Sequence, residues 1–219
     1  MRPLKLQSHL RFPLTDYLGS QGSVRVLRVL FAHGGPLSVS QLARDSGLTP
    51  RGARQTLDNL STKKIVKVFG QSRSQVFSVD FQNPLAKGLK ELFSSEQARW
   101  EELLNELREM LRANEHIEAA WYYGSVARGE DSPTSDFDIV VIASEGLVDV
   151  TTESVRQALR KLEDRLYVSC SVVGLSGSDV ARLSEGDDWW RNLATDAKVL
   201  KGVEPAQYLN NRKRRTTLT

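Results

Sequence analysis

The sequence is poor in the features that mark secreted or membrane proteins. Its 219 residues contain a single cysteine, Cys170, only two methionines and 7% aromatic residues. One cysteine excludes an internal disulfide and is typical of a reducing compartment. No run approaches the ~18 apolar residues that span a bilayer, and the start MRPLKLQSHLRFPL has no apolar signal-peptide region. We therefore expect a cytoplasmic protein without a membrane partner.

Acidic residues are scarce in the first part of the chain and outnumber basic residues in the rest. Residues 1–90 carry 14 Lys and Arg against 4 Asp and Glu, whereas residues 91–219 carry 16 against 23. The length allows two modest domains, at about 100–200 residues each. A basic half followed by an acidic half predicts a nucleic-acid-binding module joined to a domain of another kind.

The basic half has the local signals of three helices and a hairpin. An amphipathic stretch, VRVLRVLFA, ends at a Gly-Gly-Pro turn, and Ser38 to Gln41 form a capping box for a second helix that Gly47 ends. Thr49 and Pro50 open a third helix. The alternating segment IVKVFGQSRSQVFSVD then predicts a β-hairpin. The short turn between the second and third helices is typical of a helix-turn-helix.

The segment LARDSGLTPRGARQTLDNL resembles the winged-helix domains of bacterial and archaeal regulators. The resemblance implies double-stranded DNA as a partner and makes the third helix the recognition helix. Its exposed polar residues would reach base edges or phosphates, and basic residues after it would contact phosphates. The first group is Arg51, Arg54, Gln55 and Asn59; the second is Lys63 and Arg73, with Lys64 and Lys67 nearby. The alternatives are a protein-docking module, or basic residues that only solvate the helix.

Residues 83–114 are predicted as a helical linker after a first domain over residues 1–82. Leucines recur at helical spacing, and a break near Ser94-Ser95 would give two helices. The apolar stripe predicts core between the domains, with a homodimer interface as the alternative; its members are Leu103, Leu104, Leu107, Met110 and Leu111. Residues 206–219 are predicted as a basic flexible tail.

The acidic half contains the stretch YYGSVARGEDSPTSDFDIVV, which combines two apolar strands with a polar segment between them. Strand side chains alternate, so Asp136 and Asp138 face one way while Phe137 faces the core. Two adjacent carboxylates repel each other unless a cation such as Mg²⁺ lies between them. Gly124-Ser125 at a strand end offers N–H groups and a hydroxyl to phosphate oxygens. These residues predict a site for a metal-bound nucleoside triphosphate.

The same stretch resembles the signature of the DNA polymerase β-like nucleotidyltransferases, in their small minimal branch, over roughly residues 115–203. The resemblance implies an α+β chain whose residues 115–205 form a small mixed-sheet domain. It further implies that Gly124 and Ser125 hold the triphosphate and that Asp136 and Asp138 ligate Mg²⁺ or Mn²⁺. Arg128 would neutralise a phosphate oxygen, or else pair with Glu130 or Asp131.

One catalytic group of that family is missing from the sequence. The family has a third carboxylate on a later strand, but the matching segment CSVVGLSGSDVARL places Ser171 there, or Ser169 after a two-residue shift. A serine cannot be a charged ligand or a strong base. The nearby acids Asp179, Asp187 and Asp188 are the remaining candidates.

Two functions follow from these expectations. The first is a DNA-binding nucleotidyltransferase that moves a nucleoside monophosphate from a Mg²⁺-bound triphosphate to a protein or small-molecule acceptor. The resemblance links this function to toxin–antitoxin modules. The alternative is a winged-helix transcriptional regulator whose degenerate transferase domain senses nucleotide.

Overall fold

The computed structural model describes residue 10 and residues 12–71 and 74–216 of the chain. Its contacts form two compact units, one ending at Arg99 and the other beginning at Trp100. Each unit combines helices with a β-sheet of its own. The predicted α+β class is therefore confirmed.

The first unit is a winged helix-turn-helix. Within the described residues its elements are α1 (Leu14–Leu18), α2 (Gln21–His33), β1 (Leu37–Ser38), α3 (Val39–Ser46), α4 (Pro50–Thr62), β2 (Val66–Phe69) and β3 (Val76–Val79). The strands form an antiparallel sheet in the order β1-β3-β2, of which β2 and β3 are the wing. Residues from α2, α3 and α4, with Phe77 from the wing, share its core.

The helix boundaries of this unit follow from local chemistry. Ser38 and Gln41 form the predicted capping box at the start of α3, and Gly47 ends that helix in the left-handed region at φ +65°. Thr49 caps α4, where Pro50 takes the first helical position. These residues satisfy backbone groups that a helix end leaves free. The sequence prediction of both helix starts is confirmed.

A single helix, α5 (Ala86–Ala113), replaces the two helices predicted with a break near Ser94-Ser95. The Ser95 hydroxyl donates to the Glu91 carbonyl 2.9 Å away, a bond that fits within a continuous helix. Leu89 and Phe93 pack in the core of the first unit. The helix therefore continues through both serines, and the predicted break is wrong.

The second half of α5 belongs to the core of the second unit. Leu103, Leu104, Leu107 and Leu111 are buried there, and Met110 packs beside them. The predicted linker over residues 83–114 is thus shared between the two units. A homodimer would have to use another surface, because this stripe is covered within the chain itself.

The second unit is built on a mixed four-stranded sheet. Its elements after α5 are β4 (Ile117–Tyr123), α6 (Gly124–Arg128), β5 (Phe137–Ala143), α7 (Val148–Leu166), β6 (Cys170–Ser176), α8 (Gly177–Leu183), α9 (Asp188–Asp196), β7 (Lys198–Lys201) and α10 (Pro205–Thr216). The strand order is β6-β5-β4-β7. Strands β5 and β6 are parallel, while β4 is antiparallel to both β5 and β7.

The two faces of this sheet have separate cores. Phe137 and Ile139 pack with residues of α5 and α7 on one face. Trp121 and Val140 pack with residues of α8, α9 and α10 on the other. Because side chains alternate along a strand, Asp138 faces the same side as Val140. The alternation predicted from the sequence is therefore observed.

Helix α10 replaces most of the flexible tail predicted over residues 206–219. Tyr208 is 8% exposed, and its ring centroid lies 5.9 Å from that of Trp121. Its hydroxyl donates to Glu118 Oε2 at 2.7 Å. One buried aromatic side chain thus fixes a helix in a very polar sequence, and the expectation of a flexible tail is wrong for residues 206–216. Residues 217–219 lie outside the described part.

In the described part of the chain, no helix is both long and apolar enough to cross a bilayer.

Candidate functional site

Two carboxylates lie at the start of β5. Asp136 is exposed just before the strand, and Asp138 is half-buried as its second residue. Burial raises the pKa of Asp138, and the negative charge of Asp136 raises it further. The pair therefore carries an electrostatic cost that a bound cation would relieve.

The turn between β4 and α6 lies directly against Asp138. Gly124 has φ +77°, and a Cβ built on it would lie 2.8 Å from Asp138 Oδ2. Tyr123, the residue before it, is the register partner of Asp138 in the neighbouring strand. Only glycine combines this backbone with so close an approach of the carboxylate. Gly124 thus allows the start of α6 to lie directly against the Asp138 carboxylate.

The donor set fits a divalent cation with a phosphate ligand. Asp136 and Asp138 supply the oxygen ligands that Mg²⁺ and Mn²⁺ prefer, usually together with substrate phosphates. Gly124 has no Cβ, so the space beside Asp138 Oδ2 that a side chain would fill stays open. Ser125 is half-buried in the first turn of α6, where N–H groups have no intrahelical partner. The residues predicted to hold the metal and the triphosphate thus lie together.

Arg128 is held by two acids. Its Nε donates to Glu130 Oε2 at 2.8 Å, and its Nη1 donates to Asp196 Oδ2 at 2.5 Å. Both bonds raise the pKa of the guanidinium. The pairing with Glu130 was one of the predicted alternatives, whereas Asp196 lies 68 residues away at the end of α9. Sequence spacing gives no signal for that contact.

Ser171 lies beside Asp138 in the adjacent parallel strand. The two residues are register partners, and the Ser171 hydroxyl forms a hydrogen bond with Asp138 that lowers the pKa of that carboxyl. The Ser169 carbonyl instead accepts a bond from the Phe137 N–H at 2.7 Å. Of the two serines weighed from the sequence, Ser171 is therefore the one next to the carboxylate pair.

The other acids that remained as candidates are engaged elsewhere. Asp179 belongs to the capping box of α8 with Ser176, and Asp187 caps α9. Asp188 pairs with Arg191. Among the described residues, no group of three His, Cys, Asp or Glu side chains could hold a metal ion together. Within the described residues, no third carboxylate joins the pair to form a metal site.

Cys170 has the properties of a structural thiol. It is partly buried next to the site, and burial, Glu163 and Asp136 raise its pKa to about 12. At neutral pH the side chain is protonated and therefore a poor nucleophile. Its backbone N–H donates to Glu163 Oε1 at 2.7 Å.

Two aromatic residues near the carboxylates were not among the predicted site residues. The Tyr123 and Trp189 rings lie 5.8 Å apart at an interplanar angle of 89°, and both are half-buried. Burial and the charge of Asp138 raise the pKa of Tyr123, while a hydrogen bond from the Trp189 side chain opposes this. The sequence did contain a signal for Trp189. Two consecutive tryptophans on a helix cannot both face the core, and only Trp190 is buried there.

The first unit presents one polar face of α4. Arg51, Gln55 and Asn59 are exposed and spaced four residues apart, so they lie along one side of the helix. Arg73 lies outside the described residues. The three described residues form the surface that could meet a DNA groove.

Two other predicted DNA-binding residues are engaged within the unit. Arg54 donates to Asp58 Oδ2 at 3.1 Å and to Gln75 Oε1 at 2.6 Å, which links α4 to the wing. Lys63 Nζ donates to the Asp16 carbonyl at 2.9 Å, and its side chain is 19% exposed. Both side chains stabilise the winged helix.

The mixed sheet, the Gly-Ser turn and the carboxylate pair together define a nucleotidyltransferase-type domain. Residues 105–184 match the family model described as Polymerase beta, Nucleotidyltransferase. Residues 105–184, within the second unit, therefore resemble the polymerase β-type nucleotidyltransferases, and in this chain they follow a winged helix-turn-helix.

Three solved structures match parts of the chain. A toxin-antitoxin crystal structure with AMP-PNP is 20% identical at a TM-score of 0.36, and covers 52% of this chain and 86% of its own. A mutant of the toxin-antitoxin MntA-HpeT is 18% identical, with a TM-score of 0.35 and the same coverage of both chains. A homodimeric winged helix-turn-helix DNA-binding domain from Mycobacterium bovis is 20% identical at a TM-score of 0.28, covering 45% of this chain and 92% of its own. No curated protein matches the chain.

Proposed function

We propose that this chain is a DNA-binding nucleotidyltransferase that moves a nucleoside monophosphate from a metal-bound nucleoside triphosphate to an acceptor hydroxyl. The observation that carries the proposal is the contact between Gly124 and Asp138. A Cβ at Gly124 would lie 2.8 Å from the carboxylate oxygen, so the turn that we propose for phosphate lies against the carboxylate that we propose for the metal. The family match over residues 105–184 supports the same reaction class.

Each residue of the site has a role in this reaction. Asp136 and Asp138 would hold Mg²⁺ or Mn²⁺, which offsets the charge that develops on the phosphates. Gly124 and Ser125 would hold the triphosphate through N–H groups and the hydroxyl, and Arg128 would contact a phosphate oxygen. The acceptor oxygen forms a bond to the α-phosphorus while the bond to the bridging oxygen breaks and pyrophosphate leaves. The acceptor proton passes to solvent, because Ser171 is a poor base.

Label transfer tests the reaction. The full chain is incubated with Mg²⁺ or Mn²⁺, each α-labelled nucleoside triphosphate and a host lysate, beside the double variant Asp136→Ala/Asp138→Ala. We expect label on an acceptor only with the intact pair. Fractionation then distinguishes a protein acceptor, as in a toxin–antitoxin pair, from a small molecule. Equal labelling by both proteins, or none by either, would contradict the transferase.

A nucleotide-sensing regulator is the second candidate, and one observation favours it. Ser171 takes the place beside Asp138 where a third carboxylate would complete the metal site. A site of this kind would bind nucleotide without turnover and shift the DNA affinity by its differential binding. Nucleotide binding without label transfer, together with a nucleotide-dependent change in DNA affinity, would support this second function.

DNA binding is proposed through the exposed face of α4. Arg51, Gln55 and Asn59 are exposed, and among the described residues their side chains make no bonds like those that engage Arg54 and Lys63. Binding of the full chain to duplex fragments is measured by fluorescence anisotropy over a salt series. We expect Arg51→Ala to weaken binding and to lower the salt dependence by about one ion. Lys87→Ala, an exposed charge loss on α5, is the control and should change neither.

A further inference from the structure

We propose that Tyr123 and Trp189 form the contact surface for the nucleobase of the bound nucleoside triphosphate. The inference rests on the proposed function, because it concerns the same site. Tyr123 and Trp189 would be the side chains of the site that distinguish a nucleotide from inorganic triphosphate.

The position of Tyr123 places its ring beside the metal ligands. Tyr123 is the last residue of β4 and immediately precedes Gly124. In the antiparallel pair of β4 and β5 it is opposite Asp138, so both side chains leave the same face of the sheet next to each other. A nucleotide whose phosphates lie at Gly124 would bring its ribose and base to this part of the sheet.

Trp189 is placed there by α9, at the edge of the core of this face. The next residue, Trp190, is 3% exposed, and its ring lies 6.2 Å from that of Trp121 in the core of this face. Trp189 instead lies half-buried at the edge of that core, with its ring perpendicular to Tyr123. Two perpendicular aromatic rings offer a flat face and an adjacent edge to a third planar ring.

The electrostatics of the site favour stacking as a source of affinity. Asp136, Asp138 and Asp196 are acidic, and Arg128 already has two carboxylate partners. A triphosphate therefore depends on the cation for much of its binding. An uncharged base on aromatic rings contributes without adding repulsion, and stacking of this kind is worth about a tenfold change in affinity or more.

The test compares two probes by isothermal titration calorimetry with the full chain and Mg²⁺. One probe is a set of α,β-methylene nucleoside triphosphates with each of the four bases, and the other is inorganic tripolyphosphate. We expect the wild-type protein to bind the best nucleotide at least about tenfold more tightly than tripolyphosphate. Trp189→Leu should remove most of this difference in affinity and leave tripolyphosphate binding unchanged. Trp189→Phe should restore the tighter binding of the nucleotide. Because the four nucleotides share the same ribose, differences in affinity among them report the base.

Three controls keep the outcomes distinct. Phe69→Leu removes a half-exposed aromatic ring from the wing and should change nothing. If Trp189→Leu weakens the binding of both probes equally, or of neither, the stacking role is wrong, but the proposed metal and phosphate site is not contradicted. If the wild-type protein binds neither probe and Asp136→Ala/Asp138→Ala changes nothing, the proposed function itself fails. Thermal unfolding of each variant verifies that it folds.

Discussion

Ser171 and Asp138 are register partners in adjacent parallel strands, and the serine hydroxyl forms a hydrogen bond with the carboxylate. A neutral hydroxyl thus occupies the place nearest to a carboxylate that already has Asp136 beside it. The hydrogen bond lowers the pKa of Asp138, whereas burial and the charge of Asp136 raise it. The serine therefore makes the pair less costly to ionise but adds no charge for a second cation.

The first prediction concerns this serine. Ser171→Asp places a third carboxylate next to Asp138, which should tighten Mn²⁺ binding by about tenfold and raise the rate of label transfer. The same change should lower the free energy of unfolding without metal, because three like charges then repel each other. Mn²⁺ titration and chemical unfolding measure the two effects. The control is Ser171→Asn, because asparagine has the size of aspartate but no charge. It should change neither the Mn²⁺ affinity nor the free energy of unfolding, and tighter Mn²⁺ binding by this variant would contradict the electrostatic explanation.

The second prediction separates backbone strain from contact with the metal ligand. Gly124→Ala should abolish metal-dependent nucleotide binding, because its Cβ would meet Asp138 Oδ2 at 2.8 Å. The positive φ should also lower the free energy of unfolding by about 1–2 kcal/mol.

Gly129 offers a matched control. It has a similar φ of +69°, but a Cβ there would meet nothing within 4 Å. Gly129→Ala should therefore lower the free energy of unfolding by a similar amount and retain nucleotide binding. Equal loss of nucleotide binding in both variants would show that strain alone, and not the contact with Asp138, explains the result.

Local chemistry accounts for what the sequence predicted well. Ser38 and Gln41 cap each other across three residues, and Phe137 and Asp138 point to opposite faces through strand alternation, so neither feature depends on distant contacts. The errors concern residues whose environment is set from far away. Tyr208 makes α10 a helix through Trp121, 87 positions earlier in the chain. The Arg128–Asp196 contact and the Tyr123–Trp189 pair are likewise products of the tertiary fold.

The third prediction tests whether Arg128 exchanges its partners for phosphate. If the guanidinium contacts the triphosphate, Arg128→Met should weaken binding of a Mg²⁺-nucleotide, while Asp196→Asn should strengthen it by removing a competing carboxylate. Calorimetry with a non-hydrolysable nucleotide measures both. If instead both variants weaken binding equally, the ion pair only fixes α6 against α9, and Arg128 is a positioning residue.

The fourth prediction is a pH dependence that follows from the raised pKa of Asp138. Below that pKa the carboxyl is protonated and cannot ligate a cation, so metal affinity should rise with pH through the acidic range and level off once Asp138 is ionised. Asp136→Asn removes a neighbouring charge and should lower the pKa of Asp138. Ser171→Ala removes the hydrogen bond and should raise it. Carbon-13 NMR of the Asp138 carboxyl follows all three proteins, and shifts of the same sign in the two variants would contradict this account.

The same carboxyl has an opposite effect on stability without metal. Because its pKa in the folded state lies above the unfolded value, the folded protein binds the proton more tightly, and the free energy of unfolding falls as pH rises from the unfolded to the folded pKa. Asp138→Asn should remove that fall and be at least as stable as the wild type at neutral pH. Chemical unfolding across pH measures this directly. A carboxylate kept at a cost to the fold is what a metal-binding role requires, since the bound cation returns the lost stability.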